Sequence, residues 1–239
     1  MDLNGKVAVV TGAGRGIGKS LAIALAKERC NVVLVSRTEE ELKKTSSEIN
    51  SLGSKSIYFN IDLSIKENIE MLINKTLDRF GTIDILINNA AVLYSSDFLD
   101  ITEEEWDKTM NINLRSVFLL SQPILKIMEE KKSGYIINVS STAALEVPPG
   151  IAAYGISKIA MNGLSQAMYE HGKSYNVKVS TIFPGMTDTK MLRELSPPVQ
   201  KEKWMAPEDI AGCILFLLKQ SDRTVVREII PWAARHDKI

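Results

Sequence analysis

Thr11-Gly-Ala-Gly-Arg-Gly-Ile-Gly18 follows directly on the apolar run Val7–Thr11 and leads into an apolar helical pattern. Glycines in such a turn let the backbone bend tightly and approach a pyrophosphate. The helix that follows offers unpaired N–H groups and the positive end of its dipole to an anion. The spacing Gly12-xxx-Gly16-x-Gly18 differs from the commoner G-x-G-x-x-G. Any glycine-rich stretch can be a plain structural turn; the strand before it and the helix after it favour dinucleotide binding here.

Working outward, short β-branched runs alternate with longer helical patterns. The runs are Val7–Thr11, Asn31–Ser36, Ser56–Ile61, Ile83–Asn88, Gly134–Ser140, Val177–Phe183 and Thr224–Ile230. Most are apolar without alternation, as in strands buried on both faces of a parallel sheet. The stretches between them are long enough for crossover helices. This rhythm predicts one α/β domain over residues 1–239, a doubly wound parallel seven-stranded sheet with helices on both faces, the Rossmann fold. Capping boxes at Thr38–Glu41 and Thr102–Glu105 predict two helix starts. Pro123 predicts a kink in the long helix that begins near Glu103.

The 239 residues carry no formal net charge and are 45% hydrophobic, with a pI near 6.8. That balance gives no footprint for nucleic acid or an anionic membrane. The absence of a membrane-length apolar run and of signal-peptide features at Met1–Lys6 points to a soluble cytoplasmic protein. Cys30 and Cys213 lie in apolar helical patterns and read as core residues. With two histidines in the chain, no metal site is expected.

The second strand ends at Ser36-Arg37, with no acid there for a ribose 2′-hydroxyl. Arg37 can pair with a 2′-phosphate and Arg15 can join it, so NADP(H) is favoured over NAD(H). Glu41 is accounted for as the capping-box residue. Further on, Tyr154-Gly-Ile-Ser-Lys158 puts a phenol and an ammonium one helical turn apart on the same face. A phenol titrates near 10, and a neighbouring positive charge draws that value down. The pair then forms a tunable proton donor and acceptor, although the same spacing also occurs on solvated helices.

Together these segments resemble the short-chain dehydrogenases/reductases in their compact one-domain form. The resemblance spans essentially the whole chain. It rests on Thr11-Gly12…Gly16-Ile-Gly18, Asp62, Asn88-Asn-Ala-Ala91, Asn113, Ser141, Tyr154 with Lys158, and Pro184-Gly185. It implies Tyr154 as general acid in carbonyl reduction and general base in alcohol oxidation. Ser141 would hold the substrate oxygen. Lys158 would lower the Tyr154 pKa and bind the nicotinamide ribose. Asn113, in preference to Asn111, would anchor a relay water. Cofactor contacts would come from Gly12, Arg15, Gly16, Ile17, Gly18, Ser36 and Arg37. Asp62 would contribute at the adenine, Asn89 and Ala90 beside the fourth strand, Pro184 and Gly185 after the sixth, and Thr189 at the carboxamide.

Two features depart from the family pattern. Ala91 replaces a glycine, and the C-terminus lacks an Asp-Gly-Gly segment. The ending resembles 3-hydroxy acid dehydrogenases and carbonyl reductases more than 3-oxoacyl-carrier-protein reductases, which remain the alternative together with a non-catalytic dinucleotide-binding regulator. Residues 186–204 should form a substrate lid carrying Met186, Met191, Leu192, Leu195 and Trp204, facing Val147–Gly150 and Tyr94. Such a pocket suits a small carbonyl or alcohol with a hydrocarbon body. Arg193 could meet a substrate carboxylate or be merely solvated. Lys126, Lys131 and Lys132 form an interrupted basic cluster, a weak dock for an acidic carrier protein. The family's habit implies a homotetramer or homodimer built on the helix from Glu103 and on Pro207–Ile230.

Overall fold

The computed structural model describes residues 2–195 and 203–234. Seven strands form one parallel sheet in the order β3-β2-β1-β4-β5-β6-β7. They are β1 (Val7–Thr11), β2 (Asn31–Ser36), β3 (Ser56–Asn60), β4 (Ile85–Asn88), β5 (Gly134–Val139), β6 (Val177–Ile182) and β7 (Glu228–Ile229). The helices are α1 (Gly16–Lys27), α2 (Glu39–Ser51), α3 (Lys66–Phe80), α4 (Glu103–Met110), α5 (Ser116–Lys131), α6 (Ala152–Gly172), α7 (Lys190–Leu195) and α8 (Pro207–Leu218).

The unbroken apolar runs follow from two cores, one on each face of the sheet. In β1, Ala8 and Val10 face the core shared with α1, α2 and α8. Val7 and Val9 face the core shared with α3, α5 and α6. β2 divides likewise, Val32 and Leu34 to the first, Val33 and Val35 to the second. Because side chains alternate with period two, a one-residue slip would exchange the two sets, and the helices packed on each face fix the register.

The strand order reverses between β1 and β4, opening a crevice at the carboxyl ends of the strands, where ligands of such sheets bind. Below that end the polar side chains are satisfied internally. Asn88 Nδ2 donates to Asn138 Oδ1 (2.8 Å) and Ser121 Oγ (2.9 Å). Asn138 Nδ2 donates to Ser165 Oγ (2.8 Å), tying β4 and β5 to α5 and α6. At the opposite end, buried Asp84 accepts from the Val7 N–H (2.9 Å) and Lys131 Nζ (2.6 Å). Lys131 of the basic cluster is therefore a structural clamp.

Several local expectations are corrected. The run from Glu103 is not α-helical throughout. It is interrupted by a π-turn at Asn111–Arg115, and Pro123 lies within α5. The capping box at Thr102 forms, but the Thr38 side chain makes no cap bond. The last strand is shorter than the run Thr224–Ile230, because the Thr224 N–H turns back to the Ser221 carbonyl. The chain nevertheless tracks β6 as far as Pro231, whose carbonyl accepts from the Gly185 N–H (3.0 Å). Cys30 is buried, with its thiol pushed up to about 12 chiefly by burial; Cys213 is half-buried.

Candidate active site

A cleft of about 1290 Å³ runs along the carboxyl ends of the strands. That exceeds the roughly 300–1,000 Å³ of ordinary ligand pockets, leaving room for a dinucleotide and a second small molecule. Its floor is the glycine turn. Gly12 has φ +67°, and a Cβ there would stand 2.7 Å from Asn89 Nδ2. At Gly18 a Cβ would lie 2.2 Å from the Gly12 carbonyl oxygen. Gly18 thus acts by letting α1 pack against the turn, and it does not itself line the cleft, in contrast to Gly12, Gly16 and Ile17.

Thr11 locks the turn to the neighbouring strand. Its Oγ1 accepts from the N–H groups of Asn89 and Ala90, both at 2.9 Å, and donates to the Ile87 carbonyl (3.2 Å). Asn89 Nδ2 returns a bond to the Thr11 carbonyl at 2.8 Å. The end of β1 and the loop after β4 therefore form one rigid unit across the strand-order reversal.

At the β2 end, Ser36, Arg37 and Arg15 line the cleft as the sequence predicts. Glu41 lines it too, and its Oε1 lies 3.6 Å from Arg15 Nη1. Sequence reasoning assigned Glu41 to a capping box that does not form. Asp62 stands between Ile61 and Leu63, which line the cleft, and its carboxylate accepts from the Ser64 N–H (2.8 Å).

At the other end, Ser141, Tyr154 and Lys158 converge. Ser141 follows β5, and its Oγ accepts from the Ala143 N–H (3.1 Å) and hydrogen-bonds to Tyr154. Lys158, one turn along α6, has Nζ 5.5 Å from the Tyr154 ring centroid and donates to the Val139 carbonyl (2.9 Å). Lys158 is 1% exposed. Burial pushes its ammonium down to about 7. Burial likewise pushes the Tyr154 phenol up to about 12, against the lowering effect of the Ser141 hydrogen bond. Desolvation disfavours the charged form of each group here.

Asn113 sits in the π-turn, and Ile112, not Asn113, lines the cleft. Asn113 Oδ1 accepts from the Val92 N–H (2.8 Å), and its Nδ2 donates to the Val92 carbonyl (2.9 Å) and Ser157 Oγ (3.0 Å). Ser157 Oγ in turn donates to the Tyr154 carbonyl (2.6 Å). The Asn113 side chain thus joins the loop after β4 to the Tyr154 turn. Neither Ser157 nor Thr11 was assigned a role from sequence, although both stand inside the quoted motifs.

The remaining walls include some of the expected residues and leave out others. Ala91, Pro184, Gly185 and Thr189 line the cleft, as do Met186, Met191, Leu192 and Leu195. Residues 196–202 of the expected lid lie outside the described residues. Trp204, Tyr94 and Gly150 do not line the cleft; Leu93, Ser95 and Trp232 do. Trp232 was passed over because it stands beyond the last strand, yet the Gly185–Pro231 bond brings that segment back over the site. Arg193 forks onto Asp188, with both contacts at 2.6 Å, which occupies the guanidinium offered for a substrate carboxylate.

Comparison with known proteins agrees with this geometry. The short chain dehydrogenase family matches residues 6–200. An uncharacterized oxidoreductase of Staphylococcus aureus strain USA300 is 34% identical over 227 residues, covering 95% of this chain and 96% of its own. A metagenomic short-chain oxidoreductase solved in complex with NADP superposes with a TM-score of 0.85 at 33% identity, covering 96% of this chain and 97% of its own. NAD+-bound xylitol dehydrogenase superposes at 0.89 with 25% identity, covering 96% and 98%. The chain belongs to the short-chain dehydrogenase/reductase family. It is an oxidoreductase of that family, whose members bind a nicotinamide cofactor and act on small molecules. Among the described residues, no helix is long and apolar enough to cross a membrane, and no cluster of three metal-binding side chains occurs.

Proposed function

We propose that this protein is an NADP(H)-dependent carbonyl reductase or alcohol dehydrogenase in which Tyr154 exchanges the proton at the substrate oxygen. The convergence of Ser141, Tyr154 and Lys158 in one cleft with the glycine turn is the observation that carries this reading. The cradle suits a dinucleotide, because Gly12 and Gly16 leave the backbone bare where a side chain would intrude. NADP(H) supplies or accepts the hydride when bound. Ser141 holds the substrate oxygen against the Tyr154 hydroxyl. Lys158, fixed by the Val139 carbonyl, places its amine beside the phenol, cationic below its lowered pKa of about 7. Asn113 and Ser157 hold the turn that carries Tyr154. Arg37 and Arg15 supply the cationic end that favours a 2′-phosphate. Met186, Met191, Leu192 and Trp232 give the substrate end an apolar wall suited to a ketone or aldehyde with a hydrocarbon body.

Assembly as a homodimer or homotetramer in the cytoplasm belongs to the same reading. Phe118 and Ile159 on α5 and α6, and Phe216 and Ile230 at α8 and β7, are exposed apolar side chains that pairing would cover.

The pH dependence tests the proton step. Carbonyl reduction needs the protonated phenol, which persists below its raised pKa of about 12. Alcohol oxidation needs the phenolate, whose fraction below that pKa grows about tenfold per pH unit. Initial rates measured in both directions at saturating cofactor should therefore show oxidation rising steeply through the alkaline range while reduction does not. A pH-independent oxidation rate, or reduction that rises with pH, would contradict Tyr154 as the proton carrier.

A further inference from the structure

Glu41 stands on the first turn of α2, and the capping box that would occupy it is absent. Its carboxylate instead enters the β2 end of the cleft. A Cβ on Gly14 would lie 2.9 Å from Glu41 Oε2 and 3.1 Å from Ser36 Oγ, so the carboxylate, the hydroxyl and the backbone of the turn meet at one point. Glu41 Oε1 lies 3.6 Å from Arg15 Nη1, and Arg37 lines the same end. Two guanidinium groups and one carboxylate therefore share the place where a cofactor would carry either a 2′-phosphate or a 2′-hydroxyl.

We propose that Glu41 is a cofactor-discriminating residue: it holds Arg15 internally and competes with a 2′-phosphate for it. A phosphate arriving there has to draw Arg15 away from the carboxylate and then sit beside that negative charge. A 2′-hydroxyl does neither, and it can donate a hydrogen bond to the carboxylate or to Ser36. Glu41 accordingly narrows the preference for NADP(H) that the two arginines alone would produce. The side chains of Arg15 and Glu41 are 50% and 32% exposed, so the competition is partly screened and its effect moderate, about five- to tenfold.

This inference rests on the NADP(H) reading of the cleft, and it is tested by binding, without turnover. Isothermal titration with 2′,5′-ADP and with 5′-AMP is carried out on the unchanged protein, Glu41→Gln, Arg15→Gln and the double variant. Glu41→Gln should bind 2′,5′-ADP about five- to tenfold more tightly while 5′-AMP changes less than about twofold, the latter also reporting an intact cradle. In the Arg15→Gln background the gain should shrink to the part that comes from direct repulsion between the carboxylate and the phosphate, since the competition for Arg15 is gone. Unchanged or weaker 2′,5′-ADP binding in Glu41→Gln, or an equal gain without Arg15, overturns the proposal. Tighter binding of 5′-AMP than of 2′,5′-ADP by the unchanged protein would instead count against the NADP(H) reading, a result independent of the ratio between variants.

Discussion

Tyr154→Phe is expected to reduce carbonyl turnover by about 10²–10⁴-fold, the usual contribution of a positioned general acid or base. The substitution removes one oxygen and leaves the ring that faces Lys158 Nζ at 5.5 Å. Ser141 keeps its bond from the Ala143 N–H, and Lys158 keeps the Val139 carbonyl. Cofactor affinity, followed by fluorescence titration, should stay within about threefold of the unchanged protein, since the cradle and the strand ends are untouched. Loss of turnover with retained binding separates the proton step from a general collapse of the site. Turnover close to that of the unchanged protein would remove Tyr154 from the mechanism.

Gly18→Ala is expected to do the reverse, striking the cradle and not the chemistry. The new methyl would lie 2.2 Å from the Gly12 carbonyl oxygen and 2.7 Å from Asn89 Nδ2, distances at which backbone has to move. Overpacking of this kind costs about 1–3 kcal/mol, and here the displaced backbone belongs to the turn that floors the cleft. Cofactor dissociation constants should rise by more than about tenfold, and the thermal midpoint should fall by about 2–12 °C for a chain of this size. Gly163→Ala is the matched control. Gly163 also lies in a helix, but no atom stands within 4 Å of its added methyl. It should leave binding unchanged and stabilise α6 slightly through better helix propensity. An unchanged cofactor affinity in Gly18→Ala would show that the close helix–turn approach is not needed.

Much of the fold was legible because both faces of the sheet are buried. That leaves strands such as Val7–Thr11 and Asn31–Ser36 without polar interruption, and their limits were read correctly. The last strand was overextended because Thr224-Val-Val has β-branched composition, while its start is decided by a turn back to Ser221 that composition does not encode. The π-turn was missed for a related reason. Asn111–Arg115 keeps helical dihedrals, and the change in its hydrogen bonding shows no break in hydrophobic period.

The site divides in the same way. The Tyr154–Lys158 pair, whose chemistry is local, was read from spacing, and Ser141 from the family resemblance. Residues whose roles depend on distant partners were not. Glu41 reads as a cap until Arg15 is seen beside it, and Trp232 reads as tail until Pro231 is seen bonded to Gly185. The electrostatics follow the same division. Sequence supplies the charge of Lys158 but not the burial of either group, and each group's own desolvation is the largest cause of its shift.

Carbonyl reduction at the expense of NADPH is measured by the NADPH consumed with a panel of apolar ketones, aldehydes, diketones and 3-oxoacyl esters, with kcat/KM then compared between NADPH and NADH on the best of them. Turnover of at least one carbonyl is expected, with higher efficiency with NADPH and loss of that turnover in Tyr154→Phe. No carbonyl-dependent oxidation of either cofactor, or a clear preference for NADH, would contradict the proposed function.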